Sequence, residues 1–302
     1  MRALNDFLFY KTMGEEGDEP QLIGFLNAVL APSGRKPIST LKIIEKKPFV
    51  KEMLGGKSCT LDVRAVLSDG TRLNIEVQIR DKQNMDRRSL FYWSRLYAEG
   101  FKKGRDYGGL PDTIAVNIVN YNFPREGGVH TRFRLREVSD PSVELTSAME
   151  IHFINMVKWR KQRDKGLAGD PLHRWLVWLD PQSPPGLVEE AKGMDSRIAA
   201  AGDKQALVMS DDEARELYEM REKAERDRRS EIAFAVEKGE RRGKRKGRKA
   251  GRQEGRKEGR KEGKQESMEQ AARNALAEGV PIELVQKITG LGMEAIAGLK
   301  AV

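Results

Sequence analysis

The stretch CTLDVRAVLSDGTRLNIEVQIR, residues 59–80, contains two runs of alternating polar and apolar residues on either side of a short polar turn. This pattern predicts a β-hairpin. If Leu67 pairs with Thr71 at the turn, Asp62 lies directly opposite Glu76, because paired strands match residue for residue along a hairpin. The hairpin therefore brings two carboxylates to one face, where like charges repel each other.

The two faces of this hairpin differ in character. The apolar face consists of Leu61, Val63, Ala65, Leu67, Leu73, Ile75, Val77 and Ile79. A slip of one residue would mix the two faces, so the hydrophobic pattern argues against it. A slip of two residues keeps the faces but places Asp62 opposite Gln78. In either register Asp62, Glu76 and Gln78 share the polar face.

A divalent cation between the two acids would turn their repulsion into attraction. Paired carboxylates are hard oxygen ligands that suit Mg²⁺ or Mn²⁺. Such an ion activates water and neutralises charge that develops on a phosphodiester. Gln78 projects to the same face, where its amide can orient the water or a phosphate oxygen. The alternative is an ordinary exposed strand face whose acids are neutralised by Arg64 and Arg72.

Composition and charge limit the classes of partner. Of the 302 residues, 38% are hydrophobic, and Lys+Arg 55 against Asp+Glu 46 leave a net charge of +9. This excess indicates a polyanionic partner, either nucleic acid or an anionic membrane surface. The single cysteine, Cys59, cannot form an internal disulfide and favours a reducing, cytoplasmic location. No run approaches the roughly 18 apolar residues of a membrane span, and the early acidic residues argue against a secretory signal.

Hydrophobic periodicity predicts the elements around the hairpin. It is preceded by two predicted helices, NDFLFYKTMG with Asn5 or Asp6 as N-cap and PQLIGFLNAVLAP. It is followed by the amphipathic helix DRRSLFYWSRLYAEGFKKG. Next come a strand covered on both faces, DTIAVNIVNYNF, a more exposed strand, HTRFRLREV, and a further helix, AMEIHFINMVKW. This mixture predicts an α/β or α+β domain with a covered sheet.

A change in composition predicts three parts: a globular domain at 1–205, a charged helix and glycine-repeat tether at 206–266, and a small helical tail at 267–302. The repeat places glycine at every fourth position from 239 to 263. Each interior glycine costs roughly 0.5–1 kcal/mol relative to alanine, which favours a weakly helical or disordered linker. A close-packed, self-associating helix pair and a basic arm lying on phosphates are the alternatives.

The positive excess is concentrated in residues 241–252, where acidic residues are absent. Such a run predicts contacts with DNA phosphates. The candidate DNA-binding residues are Arg241, Arg242, Lys244, Arg245, Lys246, Arg248 and Lys249.

The tail is expected to be a small packing or assembly module, with a DNA-reading helix-turn-helix as the alternative. Gly279 and Gly290 are predicted helix ends. Between them, Leu284, Val285 and Ile288 form an apolar stripe. The C-terminal helices therefore offer a route to a homo-oligomer, which would make cutting both DNA strands easier.

LDVRAVLSDGTRLNIEVQ resembles the Asp…Glu-x-Lys core of PD-(D/E)xK nucleases. Taken in order with NDFLFYKTMG, LIGFLNAVL, RRSLFYWSRLYAEGFKKGRDYGGLP and IHFINMVKW, it resembles the recombination-promoting nuclease/putative transposase family. The resemblance implies a restriction-endonuclease-like α/β core, a mixed sheet flanked by helices, with metal-dependent DNA endonuclease activity in recombination. Asp62 and Glu76 match the metal-binding acids. Gln78 stands where the superfamily motif has lysine. Leu61, which precedes the first acid, stands where the motif has proline.

The leading hypothesis is therefore an endodeoxyribonuclease that uses Mg²⁺ or Mn²⁺, held by Asp62 and Glu76, with Gln78 positioning water. Glutamine can hydrogen-bond but cannot bring the positive charge of lysine. A catalytically weak or inactive DNA-binding or assembly protein on a nuclease scaffold is the alternative. A transposase is a third hypothesis. DNA is the expected partner in each case, and no membrane partner is expected.

Several other residues are weaker candidates for roles in catalysis, metal binding or contact with DNA. The three histidines are too dispersed to predict a metal cluster: His130, His152 and His173. Glu45 is either an extra acid or an ordinary surface charge. Trp93 and Tyr97 are interpreted as core residues instead of base-stacking platforms. The basic residues that flank the same helix either contact phosphate or are solvated: Arg87, Arg88, Lys102 and Lys103.

Overall fold

The computed structural model describes residues 4–44, 63–101, 106–165 and 169–299. The chain divides into two compact units, Met1–Arg221 and Glu222–Val302. The predicted division after residues 205 and 266 stays a prediction. Within the described ranges, every helix is too short or too polar to cross a membrane.

Two helices open the first unit, α1 (Asp6–Met13) and α2 (Glu19–Leu30). Asn5 is the N-cap of α1, because its side-chain oxygen accepts hydrogen bonds from the backbone N–H groups of Phe7 at 3.0 Å and Leu8 at 3.3 Å. Such a cap satisfies N–H groups that have no partner within the helix. The prediction of both helices is confirmed, with Asn5 as the cap.

A six-stranded sheet forms the centre of the first unit. Its strands are β1 (Leu41–Ile43), β2 (Val63–Leu67), β3 (Arg72–Gln78), β4 (Thr113–Val119), β5 (His130–Arg136) and β6 (Glu144–Asn155). The strand order is β1-β2-β3-β4-β6-β5. β4 pairs in parallel with β3 and β6, and the other neighbours are antiparallel. This mixed sheet flanked by helices confirms the predicted fold class.

The remaining helices follow β3 in the chain. They are α3 (Met85–Ala98), α4 (Met156–Arg160), α5 (Pro171–Leu179), α6 (Pro185–Met194), α7 (Ser196–Ser210) and α8 (Asp212–Ala277). Short 3-10 turns lie at Ala31–Ser33, Tyr107–Gly109 and Arg163–Lys165. The prediction of α3 from its apolar spacing is confirmed.

One face of the sheet carries the main hydrophobic core. The odd-numbered residues of β3, among them Leu73 and Ile75, are fully buried there. They belong to the same cluster as Phe25 of α2 and Trp175 of α5, whose rings meet edge to face with centroids 5.8 Å apart. The apolar alternation read from the hairpin thus faces this core, as predicted.

The opposite face of the sheet packs against α3. Met85 at the start of α3 joins a second cluster with Ala115 and Val119 of β4 and Phe153 of β6. Side chains alternate along a strand, so the even-numbered residues of β3 lie on this face. The polar face of the hairpin is therefore covered by α3.

The segment AMEIHFINMVKW is not the helix predicted from its sequence. It is β-strand as far as Asn155 and helical only from Met156. β6 pairs in parallel with β4, with Phe153 opposite Asn117. Residues 149–153 alternate, with apolar Met149, Ile151 and Phe153 separated by the polar Glu150 and His152, which is the period of a strand. The predicted helix is present only in the last residues of the segment.

The glycine repeat lies within a continuous helix, since α8 includes every repeat glycine from 239 to 263. The sequence leaves a weakly helical or a disordered linker open for this segment, and the disordered form is wrong. The residues between the glycines are mainly Arg, Lys, Glu and Gln, which are strong helix formers. A Cβ atom at any of these glycines would have no neighbour within 4 Å. Glycine is therefore not needed there for packing within the chain.

Replacing Gly251 with alanine is expected to increase the stability of α8 by about 0.5–1 kcal/mol, because alanine has less conformational freedom to lose. Far-ultraviolet circular dichroism during thermal unfolding measures this change. Gly290 is the matched control, because its φ of 70° favours glycine. Gly290→Ala is expected to destabilise the tail. A loss of helicity in Gly251→Ala would contradict the propensity argument.

Two short helices complete the second unit, α9 (Ile282–Thr289) and α10 (Met293–Leu299). Gly279 and Gly290 follow α8 and α9 with φ of 78° and 70°. This left-handed backbone is the usual glycine ending of a helix. Both predicted helix ends are confirmed.

The apolar stripe of α9 is only partly buried. Val285 packs with Ala272 of α8 and Ile296 of α10 in a small core. Leu284 and Ile288 are instead 49% and 67% exposed. Within the described part of this unit, the predicted stripe therefore leaves two large apolar side chains on the surface.

Candidate active site

β2 and β3 pair in the register read from the sequence. The backbone N–H of Leu67 donates to the carbonyl of Thr71 at 2.9 Å, and Val63 lies opposite Ile75. Asp62 lies outside the described residues, so its predicted position opposite β3 stays a prediction. Four other candidates also lie outside the described residues: Glu45, Cys59, Lys102 and Lys103.

Glu76 is a fully buried acid on the α3 face of β3. Its Oε1 atom accepts hydrogen bonds from Gln78 Nε2 at 2.6 Å, Arg88 Nε at 2.9 Å and Arg88 Nη2 at 2.5 Å. Its Oε2 atom is buried and has no hydrogen-bond partner among the described residues. One carboxylate oxygen is thus held in place while the other remains available to a ligand.

Arg88 supplies the charge that a buried carboxylate requires. It lies in the first turn of α3, and its side chain is only 17% exposed. The ring of Tyr92, one helical turn further on, lies 5.0 Å from the guanidinium carbon. From the sequence alone, Arg88 is either solvated or in contact with phosphate. The structure pairs it with Glu76, because the docking of α3 on the sheet brings the two together.

Two further polar side chains near Glu76, those of Tyr121 and Asn74, are not among the site residues predicted from the sequence. Burial raises the pKa of the Tyr121 phenol, and the charges of Asp81 and Glu76 raise it further. The phenol therefore stays protonated at neutral pH and can donate a hydrogen bond. Asn74 lies two residues before Glu76, and its Oδ1 atom is also buried without a partner among the described residues. The available signal for Tyr121 was its place just after β4, where the ends of parallel strands meet.

The residues present fit one side of a divalent-cation site. Glu76 Oε2 and Asn74 Oδ1 are buried acceptors without partners in the described ranges, and hard cations prefer carboxylate and amide oxygens. No group of three or more His, Cys, Asp or Glu side chains that could hold a metal occurs in the part of the chain that the structure describes. A complete site needs a further acid, and Asp62 is the residue predicted for it.

A second polar cluster is buried on the opposite face of the sheet, around Glu150. Arg134 donates to its Oε2 atom at 3.1 Å and Arg35 at 3.2 Å, while the Ser33 hydroxyl donates to Oε1 at 2.5 Å. Burial alone would raise the pKa of Glu150. The His152 ring, whose Nε2 atom lies 3.1 Å from Oε1, the Ser33 hydroxyl and the charge of Arg134 instead hold the pKa well below its usual range. Glu150 is therefore a permanent anion that gathers cations around it.

Two of the histidines are neighbours, not dispersed as the sequence indicated. His130 Nε2 lies 2.8 Å from His152 Nδ1, because β5 and β6 pair side by side. Burial lowers the pKa of His130 to about 4, and the nearby His152 and Arg132 lower it further. Burial also lowers the pKa of His152. Both rings are therefore neutral at pH 7.

Lowering the pH from 7 to 4 is expected to weaken the first unit. The folded-state pKa of His130 lies below the unfolded value of about 6.5, so the unfolded chain binds more protons in this interval. The stability from the neutral ring is present above about pH 6.5 and is lost as the pH falls. Each such histidine lowers the free energy of unfolding by at most about 1.4 kcal/mol per pH unit. Urea unfolding at a series of pH values measures the slope.

His130→Gln is the control for this pH dependence. Glutamine stays neutral at every pH in the interval and can still hydrogen-bond to His152. The slope between pH 6.5 and 4 is expected to become shallower in this variant. The same slope in both proteins would show that His130 does not titrate as described.

The remaining candidates take the following positions. The predicted DNA-binding residues are all exposed on α8: Arg241, Arg242, Lys244, Arg245, Lys246, Arg248 and Lys249. Trp93 packs on the second cluster, its indole N–H donates to the Thr113 carbonyl at 2.7 Å, and its ring stacks on Tyr97 at 5.1 Å. Trp93 is partly buried, so it packs against this cluster from its edge. His173 accepts a hydrogen bond from Trp159 at 3.2 Å.

One protein-family model matches the chain. It is described as PD-(D/E)XK nuclease family transposase, and it matches residues 3–235. The match includes the β2–β3 hairpin, Glu76 and α3, and it ends in α8 before the first repeat glycine. No curated protein and no solved structure matches the chain.

Proposed function

This chain belongs to the PD-(D/E)XK nuclease family transposases, and we propose that it is a divalent-metal-dependent endodeoxyribonuclease that hydrolyses phosphodiester bonds in DNA recombination. The observation that supports this most is the buried Glu76, whose Oε2 atom has no partner among the described residues. Asp62 and Glu76 would hold Mg²⁺ or Mn²⁺. When bound, the ion supplies Lewis-acid stabilisation of the phosphodiester and activation of water.

In this proposal, Gln78 and Arg88 together replace the lysine of the superfamily motif, one by hydrogen bonding and the other by its positive charge. The Gln78 amide donates to Glu76 at 2.6 Å. From this position it would orient the attacking water. Arg88 Nε lies 2.9 Å from the same carboxylate oxygen and brings the positive charge that glutamine lacks. Positive charge near a phosphodiester stabilises the negative charge of the transition state. In this proposal the departure at Gln78 is compensated from α3.

The exposed basic residues of α8 would hold DNA through its phosphates. Arg and Lys at positions 241–249 are exposed. Contacts with phosphates raise affinity without sequence preference and weaken as salt rises. This part of the proposal predicts nonspecific binding that accompanies cleavage.

Supercoiled plasmid incubated with the purified protein tests the proposed activity. With Mg²⁺ or Mn²⁺ the plasmid is expected to become nicked and then linear, and a chelator is expected to stop the reaction. A plasmid that is shifted on a gel but never cut would refute the enzyme. That outcome would support the catalytically inactive DNA-binding or assembly protein.

The inactive alternative and a transposase remain as second candidates for specific reasons. Gln78 replaces the lysine of the motif, and Arg88 occupies Glu76 Oε1, so a protein that only binds DNA is consistent with both facts. A transposase must also recognise DNA ends and join strands. Transfer of a labelled oligonucleotide end into plasmid would distinguish a transposase from a hydrolase.

We also propose that the C-terminal helices form a homo-oligomer. Leu284 and Ile288 are exposed on α9, and the repeat glycines of α8 have open space beside them. Both features suit contact with a second copy of the chain. Light scattering would test this, because Leu284→Asp should reduce the molar mass if α9 contributes to the interface. An unchanged oligomer would refute the role of α9.

A further inference from the structure

The exposed side of α3 carries two cations on either side of an aromatic ring. Arg87, Phe91 and Arg95 are spaced by four residues, so their side chains lie one above the next along the helix. Phe91 is 56% exposed, and the guanidinium of Arg95 lies 5.9 Å from its ring centroid. Arg87 and Arg95 are both exposed. We refer to these three residues as the α3 ladder.

The α3 ladder lies beside the candidate active site. Arg88 and Tyr92 occupy the next positions along the helix, and Arg88 donates to Glu76. Successive residues are rotated by about 100° around a helix, so the ladder borders the helix face that carries Arg88. A polynucleotide bound at the candidate site is therefore within reach of the ladder.

We propose that the α3 ladder binds an unpaired DNA strand, with Phe91 stacked on a base and the guanidinium groups of Arg87 and Arg95 on the flanking phosphates. Every base has a π face, so aromatic rings bind single strands without sequence preference. In a duplex these faces are already stacked on each other. The inference rests on the proposed function for its substrate and narrows that substrate to DNA with unpaired or opened regions.

The composition of the surface favours a nucleic acid over a protein partner. An apolar partner would use Phe91 together with Leu90, which is 49% exposed. Phe91 instead lies between two arginines in the sequence of the helix, Arg95 over its ring at 5.9 Å and Arg87 four residues before it. A second exposed ring pair, Phe101 on Tyr107 with centroids 5.2 Å apart, follows α3 in the chain and provides a further stacking surface.

The binding test uses fluorescence anisotropy with the full chain, a labelled oligo-dT strand and a labelled duplex, in the presence of chelator. Phe91→Ala is expected to weaken binding to oligo-dT by about 5- to 150-fold, which is the loss of affinity expected when one base loses its aromatic stacking partner. Phe91→Leu is expected to weaken it similarly, since it keeps apolar volume but removes the ring. Binding to the duplex should change far less.

The salt dependence separates stacking from charge. Arg87→Ala and Arg95→Ala are each expected to reduce the slope of log affinity against log salt by about 0.7, the value for one phosphate contact on a single strand. Phe91→Ala should leave this slope unchanged while lowering affinity at every salt concentration. A slope that changes in Phe91→Ala but not in the arginine variants would overturn the assigned roles.

Two control variants match the change at Phe91. Phe234→Ala removes another exposed ring, 65% exposed and 5.8 Å from Lys238 Nζ, on α8. Leu90→Ala removes an exposed apolar side chain from α3 itself. Both are expected to bind oligo-dT like the parent. If Leu90→Ala and Phe91→Ala both lower the molar mass in light scattering, the surface is a protein interface and the proposal is wrong.

The outcomes distinguish this inference from the proposed function. If Phe91→Ala binds oligo-dT as tightly as the parent while the parent cuts plasmid, the inference fails and the nuclease stands. If Phe91→Ala weakens binding to oligo-dT but the parent cuts no plasmid with either metal, the nuclease is refuted and the binding surface is supported. Faster cutting of supercoiled than of relaxed plasmid, with the difference lost in Phe91→Ala, supports both.

Discussion

Replacing Glu76 with glutamine is expected to lower metal-dependent DNA cleavage by more than about 100-fold, because groups that only orient metal ligands already contribute about 10- to 100-fold. The amide keeps the volume of the side chain and removes its charge. Asp62→Ala is expected to abolish cleavage in the same way while leaving the protein folded. The rate of conversion of supercoiled to nicked plasmid, with Mg²⁺ or Mn²⁺, measures both effects.

Glu189→Gln is the matched control for this prediction. Glu189 on α6 is 70% exposed and pairs with Lys192 at 2.8 Å, so the change removes an ion-paired carboxylate away from the candidate site. It is expected to cut like the parent. Circular dichroism checks the fold of each variant, and Glu76→Gln combined with Arg88→Gln tests whether an unpaired Arg88 is the cause of any unfolding. A folded Glu76→Gln protein that cuts at the parental rate would refute the site.

Replacing Glu150 with glutamine is expected to destabilise the first unit by about 3–5 kcal/mol, since breaking a buried ion pair leaves uncompensated charge. Glu150 is fully buried and receives hydrogen bonds from Arg35 and Arg134. Glutamine preserves the shape but cannot balance these cations. Urea unfolding measures the loss as a lower midpoint with an unchanged slope.

Glu144→Gln provides the comparison, because Glu144 pairs with two arginines but is 23% exposed. Arg134 and Arg136 lie 3.2 and 3.3 Å from it. Its loss is expected to cost at most about 1 kcal/mol, as for other pairs that water can screen. If Glu150→Gln and Glu144→Gln lower the free energy of unfolding by equally small amounts, the burial of Glu150 does not make the loss of its ion pairs more destabilising.

The hairpin was predictable because two independent signals agree. The turn sets the pairing of Leu67 with Thr71, and the apolar alternation excludes a slip of one residue. The helix α3 was predictable for a similar reason, since its apolar residues recur at helical spacing. β6 was mispredicted for a different reason. Its residues 149–153 alternate between apolar and polar, as a strand requires, but the short helix that follows from Met156 was extended back over them.

The candidate site was predictable only in part. The places of Glu76 and Gln78 follow from strand alternation and the family motif. The ion pair with Arg88 depends on how α3 docks across the sheet, and no local pattern encodes that distance. His130 and His152 are likewise 22 residues apart in the chain and meet only through strand pairing.

The glycine repeat shows a different limit of sequence reasoning. Its seven glycines carry a cost of about 4–7 kcal/mol, which favours a weakly helical or disordered linker. The intervening Arg, Lys and Glu residues are strong helix formers and also form spaced ion pairs, such as Arg241 with Glu237 at 3.6 Å. Whether the segment is helical depends on the difference between the cost of the glycines and the stabilisation from the intervening residues. The cost of the glycines alone does not give this difference.

Calorimetric titration of the metal-free protein with Mn²⁺ addresses the two-acid site without requiring catalysis. The parent is expected to bind Mn²⁺, and Glu76→Gln and Asp62→Asn are each expected to weaken that binding by at least about tenfold, because each removes one charged oxygen ligand. Glu189→Gln should bind like the parent. Parental affinity in both Glu76→Gln and Asp62→Asn would mean that these acids do not hold the ion.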